Sequence, residues 1–324
     1  MKEEYILFHA NLPVASLCFE NGIISSVNEV YNYEHLPSRN KDFCCGIKDW
    51  WVHRVTCETQ ENCALALHNL ALSVSDSYWI KPITSDYQWR DVNLFKTGTS
   101  RFNPDLSTAG RCKKHWIYEK NKFKLIKQYN DIERCRNEVF ATYFHKEQSL
   151  FPCLEYEIIN SNSVICDCFT SDDVESITVW DAVEQHSENF RNDIICACIN
   201  MGLDGEYVKL FLNYLVQADF ILGNKSRHPR NISVLRNPNT LKAISMAPIY
   251  DNGSIFSSNK KKHIYCDSEY LLSLTGSTSV LQVSKFPKDD KVKELFSSIN
   301  TTRLNTIVAM YNTNISKFKD YFGI

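Results

Sequence analysis

The stretch that most limits what this chain can fold into is residues 217–256. It begins as the end of an apolar helix and continues through a short polar loop at 223–231. Two strand-like runs follow, at 232–236 and 243–249, joined by the turn sequence Asn-Pro-Asn-Thr. A helix that passes through a polar loop directly into a hairpin predicts a fold that mixes α and β structure.

An asparagine and an aspartate flank this predicted hairpin. Asn231 precedes the first strand, and Asp251 follows the second strand in the triplet Asp-Asn-Gly. Two oxygen ligands presented in this way can hold a Mg²⁺ ion, as the catalytic-loop Asn and the D-F-G Asp do in protein kinases. Both residue types are also common turn residues, so the pattern is compatible with a turn that binds no metal.

Composition indicates an ordinary globular protein. The chain has 324 residues, of which 44% are hydrophobic and 23% charged, enough for two or three subdomains with a large core. The net charge of -2 gives no electrostatic case for nucleic acid or an anionic membrane, so neither is expected as a direct partner. The start lacks a secretory signal and no apolar run is long enough to span a bilayer. With 13 cysteines, this predicts reduced thiols and a cytoplasmic location.

A small-residue loop precedes a second predicted hairpin. The loop contains Ser107, Thr108 and Gly110, and such a loop can offer backbone N–H groups to phosphate oxygens. The hairpin that follows has strands at 115–119 and 122–127 and ends at Lys127. We therefore expect Lys127 to lie where it can reach phosphates bound by the loop.

The next predicted element, a helix over residues 132–145, carries Glu138 near its centre. A strand lysine paired with a helix glutamate is the ion pair that positions nucleotide phosphates in kinases. The alternative is a solvated Lys127 at a strand end and a solvated Glu138 on a helix face, which is the usual state of these residue types.

The helix predicted over residues 206–222 is apolar and contains Asp219. A carboxylate in such a run needs hydrogen-bond partners or a counter-charge. We therefore expect Asp219 to act as a structural acceptor that anchors the loop at 223–231.

These features occur in an order that resembles the HipA-like kinase family, which comprises bacterial protein kinases of toxin–antitoxin systems and their relatives. The resemblance covers most of the chain. Its two most specific motifs are GNKSRHPRN at 223–231 and APIYDNG at 247–253. KFKLIK at 122–127 and RNEVFAT at 136–142 add to it, and LSVSDSYWIKP is similar to a segment of clostridial members.

The resemblance implies an α+β, two-lobed, protein-kinase-like fold. Its β-rich N-terminal lobe would span residues 1–158 and its mainly helical C-terminal lobe residues 159–324, with adenine bound between residues 153 and 180. The implied cofactors are ATP and Mg²⁺. The implied partner is a protein or peptide, either as the substrate phosphorylated on Ser or Thr or as a regulatory partner.

The resemblance also assigns roles in nucleotide binding. Lys127 would contact the α- and β-phosphates, and Glu138 would orient Lys127. The loop with Ser107, Thr108 and Gly110 would cover the phosphates. Some family members autophosphorylate a serine in this loop, which makes Ser107 and Thr108 candidate phosphorylation sites.

The catalytic loop carries a departure from the family. The family pattern D-x-H-x-x-N places His228 as the loop histidine that positions the backbone, and Asn231 with Asp251 as the Mg²⁺ ligands. At the position of the catalytic aspartate this chain has Ser226. That aspartate accepts the proton of the substrate hydroxyl, and serine has no basic group at neutral pH. General acid–base help is typically worth ~10²–10⁴-fold in rate.

The serine at position 226 allows several interpretations of the function. The chain is a kinase with impaired transfer, a pseudokinase that binds nucleotide as a regulator or scaffold, or an engineered inactive variant. Another acid could also take the role, and Asp219 and Asp251 are the nearest in sequence. A further candidate function is that of a toxin–antitoxin component acting in complex with a DNA-binding partner.

Overall fold

A computed structural model of the chain describes residues 2–55, 60–105, 112–257, 272 and 275–324. It contains two compact units, each built from separate stretches of chain. Unit 1 consists of Met1–Leu125, Asp167–Leu203 and Ser233–Ala247. Unit 2 consists of Ile126–Cys166, Asp204–Ile232 and Pro248–Ile324.

The strands and helices of the described residues are numbered in chain order. The strands are β1 (Lys2–His9), β2 (Leu12–Glu20), β3 (Ile23–Val30), β4 (Tyr78–Pro82), β5 (Lys113–Glu119), β6 (Lys122–Gln128), β7 (Glu157–Asn160), β8 (Ser163–Asp167), β9 (Glu175–Thr178), β10 (Ser233–Arg236) and β11 (Ala243–Met246). The helices are α1 (Phe43–Arg54), α2 (Gln60–His68), α3 (Trp89–Val92), α4 (Leu94–Thr97), α5 (Ile132–Gln148), α6 (Val179–Ala182), α7 (Phe190–Asn200), α8 (Gly205–Leu222), α9 (Asp289–Leu295) and α10 (Thr301–Phe322). Within these residues, no helix combines the length and apolar character needed to cross a bilayer.

Unit 1 is built on an antiparallel sheet of order β3-β2-β1-β4. Alternate residues of a strand face opposite sides of a sheet, so one side can be apolar throughout. Leu7 of β1, Leu17 of β2 and Ile80 of β4 are fully buried on this side, and Trp51 of α1 packs in the same core. Burial of apolar surface by α1 therefore holds the sheet in one register.

A second sheet of unit 1 contains the hairpin predicted from sequence. β10 pairs antiparallel with β11, which confirms the predicted strand pair, and with β9 on its other side. Because β9 and β10 lie far apart in sequence, their pairing brings separate stretches of chain into unit 1. Both units are therefore discontinuous in sequence, and the expected division into lobes after residue 158 stays a prediction.

Unit 2 contains the long helices α5, α8 and α10. The predicted helices at 132–145 and 206–222 are confirmed as α5 and α8. Each begins at an aspartate whose carboxylate accepts a backbone N–H of the first turn, which satisfies donors that a helix leaves unpaired. Aromatic rings form the core beside α5, and they belong to Phe140, Phe256, Phe296 and Tyr311.

The cysteine expectation holds in part. Ten cysteines of the described residues form no disulfide, among them the buried Cys18, Cys135 and Cys198. Cys63 is disulfide-bonded, so the expectation that every cysteine is reduced is wrong at this position.

A buried ionic network links these two sheets of unit 1. Arg236 of β10 lies opposite Glu175 of β9, and its Nε donates to Glu175 Oε1 at 2.7 Å. His9 Nε2 of β1 lies 2.8 Å from Glu175 Oε2. Burial would raise the pKa of Glu175, but the Arg236 guanidinium and His9 outweigh it and lower the pKa to about 2. Glu175 is therefore ionised at neutral pH and neutralises Arg236 inside the unit.

We expect Glu175→Gln to reduce the free energy of unfolding by about 3–5 kcal/mol, because it leaves the Arg236 charge buried without its counter-ion. Urea denaturation at pH 7 measures this loss. The loss should shrink as the pH falls from the unfolded-state pKa of Glu175 towards 2, because protonation then removes the same charge from the wild type.

Glu206→Gln is the matched control, since Glu206 pairs with Lys209 on the surface and its side chain is 82% exposed. Its loss should stay below about 1 kcal/mol. Equal losses in the two variants would contradict a stabilising role for the buried pair.

Candidate functional site

The site in unit 2 is organised around Lys127 at the end of β6. Lys127 Nζ donates to Glu138 Oε1 of α5 at 2.9 Å and to Asp251 Oδ1 at 3.0 Å. Lys127 is only 3% exposed and Glu138 is fully buried, whereas the Asp251 side chain is 40% exposed. The lysine therefore bridges an inaccessible carboxylate and a carboxylate that solvent can reach.

Electrostatics keep Lys127 charged. Burial lowers the pKa of its ammonium group, but the carboxylates of Asp251 and Glu138 outweigh burial and hold the pKa well above its usual value. One ammonium and two carboxylates leave the cluster with one excess negative charge. The exposed side of the cluster, at Asp251, is thus suited to a cation.

Glu138 is fixed by two further donors. The Tyr129 hydroxyl donates to Glu138 Oε1 at 2.6 Å, and the backbone N–H of Asn252 donates to Glu138 Oε2 at 2.8 Å. A buried carboxylate with several donors keeps one orientation, because rotation would leave donors unsatisfied. Glu138 therefore sets the position of the Lys127 ammonium.

Asp251 also contacts the loop that precedes β10. Asn231 Nδ2 donates to Asp251 Oδ2 at 2.7 Å, so the amide and the carboxylate touch. Asp251 has a φ of +62°, in the left-handed region that is uncommon for residues other than glycine. The structure thus brings together the two residues expected as metal ligands.

The same loop holds Ser226 and His228, which are both exposed. The backbone N–H and the hydroxyl of Ser226 both donate to Asn224 Oδ1, at 3.2 and 3.0 Å. His228 Nδ1 accepts the N–H of Arg230 at 3.1 Å, and the His228 carbonyl accepts the N–H of Asn231 at 2.7 Å. His228 therefore shapes the turn that carries Asn231.

Asp219 of α8 anchors this loop, as the sequence predicts. Its carboxylate accepts two hydrogen bonds from Arg227, at 2.9 and 3.0 Å, and one from Asn224 Nδ2 at 3.0 Å. Both carboxylate oxygens are engaged by these donors, and the residue is only 7% exposed. Asp219 is therefore unsuited to replace the catalytic aspartate.

Comparison with solved structures identifies the fold. HipA of the Shewanella oneidensis MR-1 toxin–antitoxin system, solved with HipB and operator DNA, aligns with a TM-score of 0.52 over 99% of this chain and 98% of its own, at 10% identity. The chain has a HipA-like kinase fold. The proinflammatory kinase CtkA of Helicobacter pylori aligns with a TM-score of 0.48 over 65% of this chain and 93% of its own, at 16% identity. No family model and no curated protein matches the sequence.

The HipA-like fold confirms the expected fold class, and the site adds detail to it. The ion pair expected between Lys127 and Glu138 is present. Ser107, Thr108 and Gly110 lie outside the described residues, so their expected contact with phosphates stays a prediction. The roles of the other residues in binding nucleotide or metal are predictions as well.

Sequence reasoning missed two residues that support the site. Tyr129 holds Glu138, and Asn137 Nδ2 donates to the carbonyls of Gly253 and Ile255, both at 3.0 Å. Asn137 directly precedes Glu138, and Tyr129 lies two residues after Lys127. A polar residue next to Glu138 on the buried side of α5 was a usable signal, since buried polar groups need partners.

We expect Lys127→Met and Glu138→Gln to be strongly non-additive in unfolding free energy, because each single variant leaves a buried polar partner behind. The coupling in a double-mutant cycle should be about 0.5–3 kcal/mol. Urea denaturation of the four proteins measures it.

The control cycle uses Lys146 and Glu155, an ion pair whose side chains are 54% and 65% exposed. Its coupling should lie below about 1 kcal/mol. A coupling near zero at Lys127 and Glu138 would show that the two charges act independently.

Proposed function

We propose that this chain binds ATP with Mg²⁺ at Lys127, Asn231 and Asp251 and transfers the γ-phosphate slowly to a Ser or Thr hydroxyl of a protein or peptide. The observation that carries the proposal is the bridge from Lys127 to Glu138 and Asp251, with Asn231 in contact with Asp251. Kinases use a lysine, a helix glutamate, an asparagine and an aspartate in these roles. The HipA-like fold supports the assignment.

The donor set at Asn231 and Asp251 fits Mg²⁺. This ion prefers oxygen ligands and is usually held by one or two protein groups together with phosphates and water. Asp251 is partly exposed and belongs to a cluster with one excess negative charge. Turning the Asn231 amide would present its oxygen beside the Asp251 carboxylate. Bound there, Mg²⁺ would neutralise charge on the β- and γ-phosphates.

Lys127 would donate hydrogen bonds directly to the nucleotide phosphates. Its ammonium group is charged, buried and fixed by Glu138, so it needs little reorganisation to donate to phosphate oxygens. Its second partner is Asp251 Oδ1, at 3.0 Å. Mg²⁺ without nucleotide must therefore compete with the lysine for this carboxylate.

Ser226 explains why transfer should be slow. Its hydroxyl donates to Asn224 and supplies no base for the substrate proton, and Asp219 is engaged by Arg227. Phosphoryl transfer depends mostly on positioning and charge stabilisation, so the remaining residues can support turnover at a reduced rate. The same observation favours a second candidate, a pseudokinase that binds Mg²⁺ and ATP and regulates a protein partner.

We expect ATP with Mg²⁺ to raise the melting temperature of the wild type, because a ligand that binds only the folded state stabilises it. Mg²⁺ alone should give little shift, since Lys127 occupies Asp251. Asp251→Asn keeps a residue type that tolerates a left-handed backbone and should abolish the Mg²⁺-dependent part of the shift. Thermal-shift titration measures all three.

Glu155→Gln, on the surface of the same unit, is the control and should behave as the wild type. If ATP does not change the melting temperature of the wild type, nucleotide binding no longer belongs to the proposal. A full Mg²⁺-dependent shift in Asp251→Asn would remove Asp251 as a metal ligand.

We expect Ser226→Asp to increase phosphate transfer to a peptide or protein substrate by ~10²–10⁴-fold, because it restores a group that accepts the hydroxyl proton. Radiolabelled transfer from ATP to a generic protein substrate measures this rate. The affinity for ATP with Mg²⁺ should change little.

Ser297→Asp is the control, since Ser297 is exposed and lies elsewhere in unit 2. Detectable transfer by the wild type supports the kinase. Transfer that appears only with Ser226→Asp supports the pseudokinase, and a rate unchanged by Ser226→Asp would mean that Ser226 does not occupy the position of the base.

A further inference from the structure

One side chain, that of Arg227, binds both neighbours of Asp251 in the chain. Arg227 Nη1 donates to the carbonyl of Tyr250 at 2.7 Å, and Arg227 Nη2 donates to Asn252 Oδ1 at 2.7 Å. Tyr250 and Asn252 are the two neighbours of Asp251 in the chain. The guanidinium therefore bridges the two neighbours of Asp251, whose φ of +62° is strained for most residues other than glycine.

Arg227 is itself immobilised. Its Nε and Nη2 donate to the two oxygens of Asp219, at 2.9 and 3.0 Å, which is the bidentate geometry that a guanidinium makes with a carboxylate. The residue is only 9% exposed. Asp219 belongs to α8, so the position of the guanidinium is set by a long helix and not by the loop alone.

We propose that Arg227 is a positioning residue that holds Asp251 in the conformation required of a metal ligand. The inference rests on the proposed function of the site. Arg227 lies in the loop between Ser226 and Asn231, and its bonds tie this loop to the segment that carries Asp251. It fixes the two expected metal ligands, Asn231 and Asp251, relative to each other.

The chemistry requires arginine at this position. A guanidinium is a planar fork with five donors, so it can bind Asp219 on one edge and reach Tyr250 and Asn252 on the other. A lysine ammonium is compact and cannot bridge partners on opposite edges. Without the bridge, Asp251 keeps its contacts with Lys127 and Asn231 but loses the bonds that hold its two neighbours in the chain, so its backbone can relax towards an ordinary conformation.

The test compares Arg227→Lys with the double variant Asp219→Asn/Arg227→Met. The double variant removes both charges together, so no carboxylate is left buried without a partner. Arg303→Lys is the matched control. Arg303 also makes two bonds to a carboxylate, at Glu133, and one to a backbone carbonyl, at Phe256, but it does not bind the neighbours of Asp251.

Two quantities are measured on each protein: the affinity for ATP without Mg²⁺, and the affinity for Mg²⁺ at saturating ATP. We expect both Arg227 variants to lose about 10–100-fold in Mg²⁺ affinity, as is typical when a residue that orients a metal ligand is removed. The affinity for ATP without Mg²⁺ should change by less than about 3-fold, which a general loss of structure would not reproduce. Arg303→Lys should match the wild type in both.

Amide hydrogen exchange on the ligand-free proteins gives a second readout. The Asn252 N–H, which donates to Glu138, should exchange faster in the Arg227 variants and at the wild-type rate in Arg303→Lys. Unchanged Mg²⁺ affinity together with unchanged exchange at Asn252 would overturn the inference. Failure of the wild type to bind ATP would instead overturn the proposed function, and faster exchange at Asn252 in the variants would then still support Arg227 as the residue that positions this segment.

Discussion

The burial of one ammonium group organises the site. Lys127 is almost inaccessible to solvent, and a charge in that position is costly unless opposite charges and hydrogen bonds compensate for it. Glu138 and Asp251 supply the opposite charges. Glu138 in turn needs the Tyr129 hydroxyl and the Asn252 N–H, because its oxygens are buried too. The need to compensate the buried charge of Lys127 therefore connects strand β6 to helix α5 and to the segment after residue 248.

Each residue of the triplet Asp-Asn-Gly at 251–253 has a different role in this arrangement. Asp251 supplies charge and is a residue type that tolerates a left-handed backbone. Asn252 donates its N–H to Glu138 and accepts from Arg227 through its side chain. A Cβ at Gly253 would lie 2.8 Å from the Tyr129 hydroxyl oxygen, closer than real contacts allow. The glycine thus lets Tyr129 reach Glu138.

Local sequence patterns were sufficient to predict much of the fold. Hairpin β10–β11, helix α5 and helix α8 follow from turn residues, caps and apolar spacing, which act between near neighbours. The pairing of Lys127 with Glu138 also follows, since a strand leads directly into the helix. The bond from Lys127 to Asp251 spans 124 residues and has no local pattern that would indicate it.

The partners of Glu175 in unit 1 are likewise too distant in sequence to be predicted from local patterns. Glu175 and Arg236 stand in short strands whose pairing depends on the return of the chain after α8. Each of these strands carries a charged residue, which needs a partner when it is buried. The sequence could not show that the partners are each other. The boundaries of the two units depend on the same long-range pairing.

The hydrogen bonds of Ser226 are separate from those of the residues proposed to hold nucleotide and metal. The hydrogen bonds of Ser226 go to Asn224, whereas those of Arg227 go to Asp219, Tyr250 and Asn252. Asn231 reaches Asp251 through a turn shaped by His228. In the proposed function an aspartate at position 226 would accept a proton, and none of the bonds that Ser226 makes fixes Asn231, Asp251 or Lys127. Under that proposal, the arrangement of Asn231, Asp251 and Lys127 does not depend on whether position 226 carries a base.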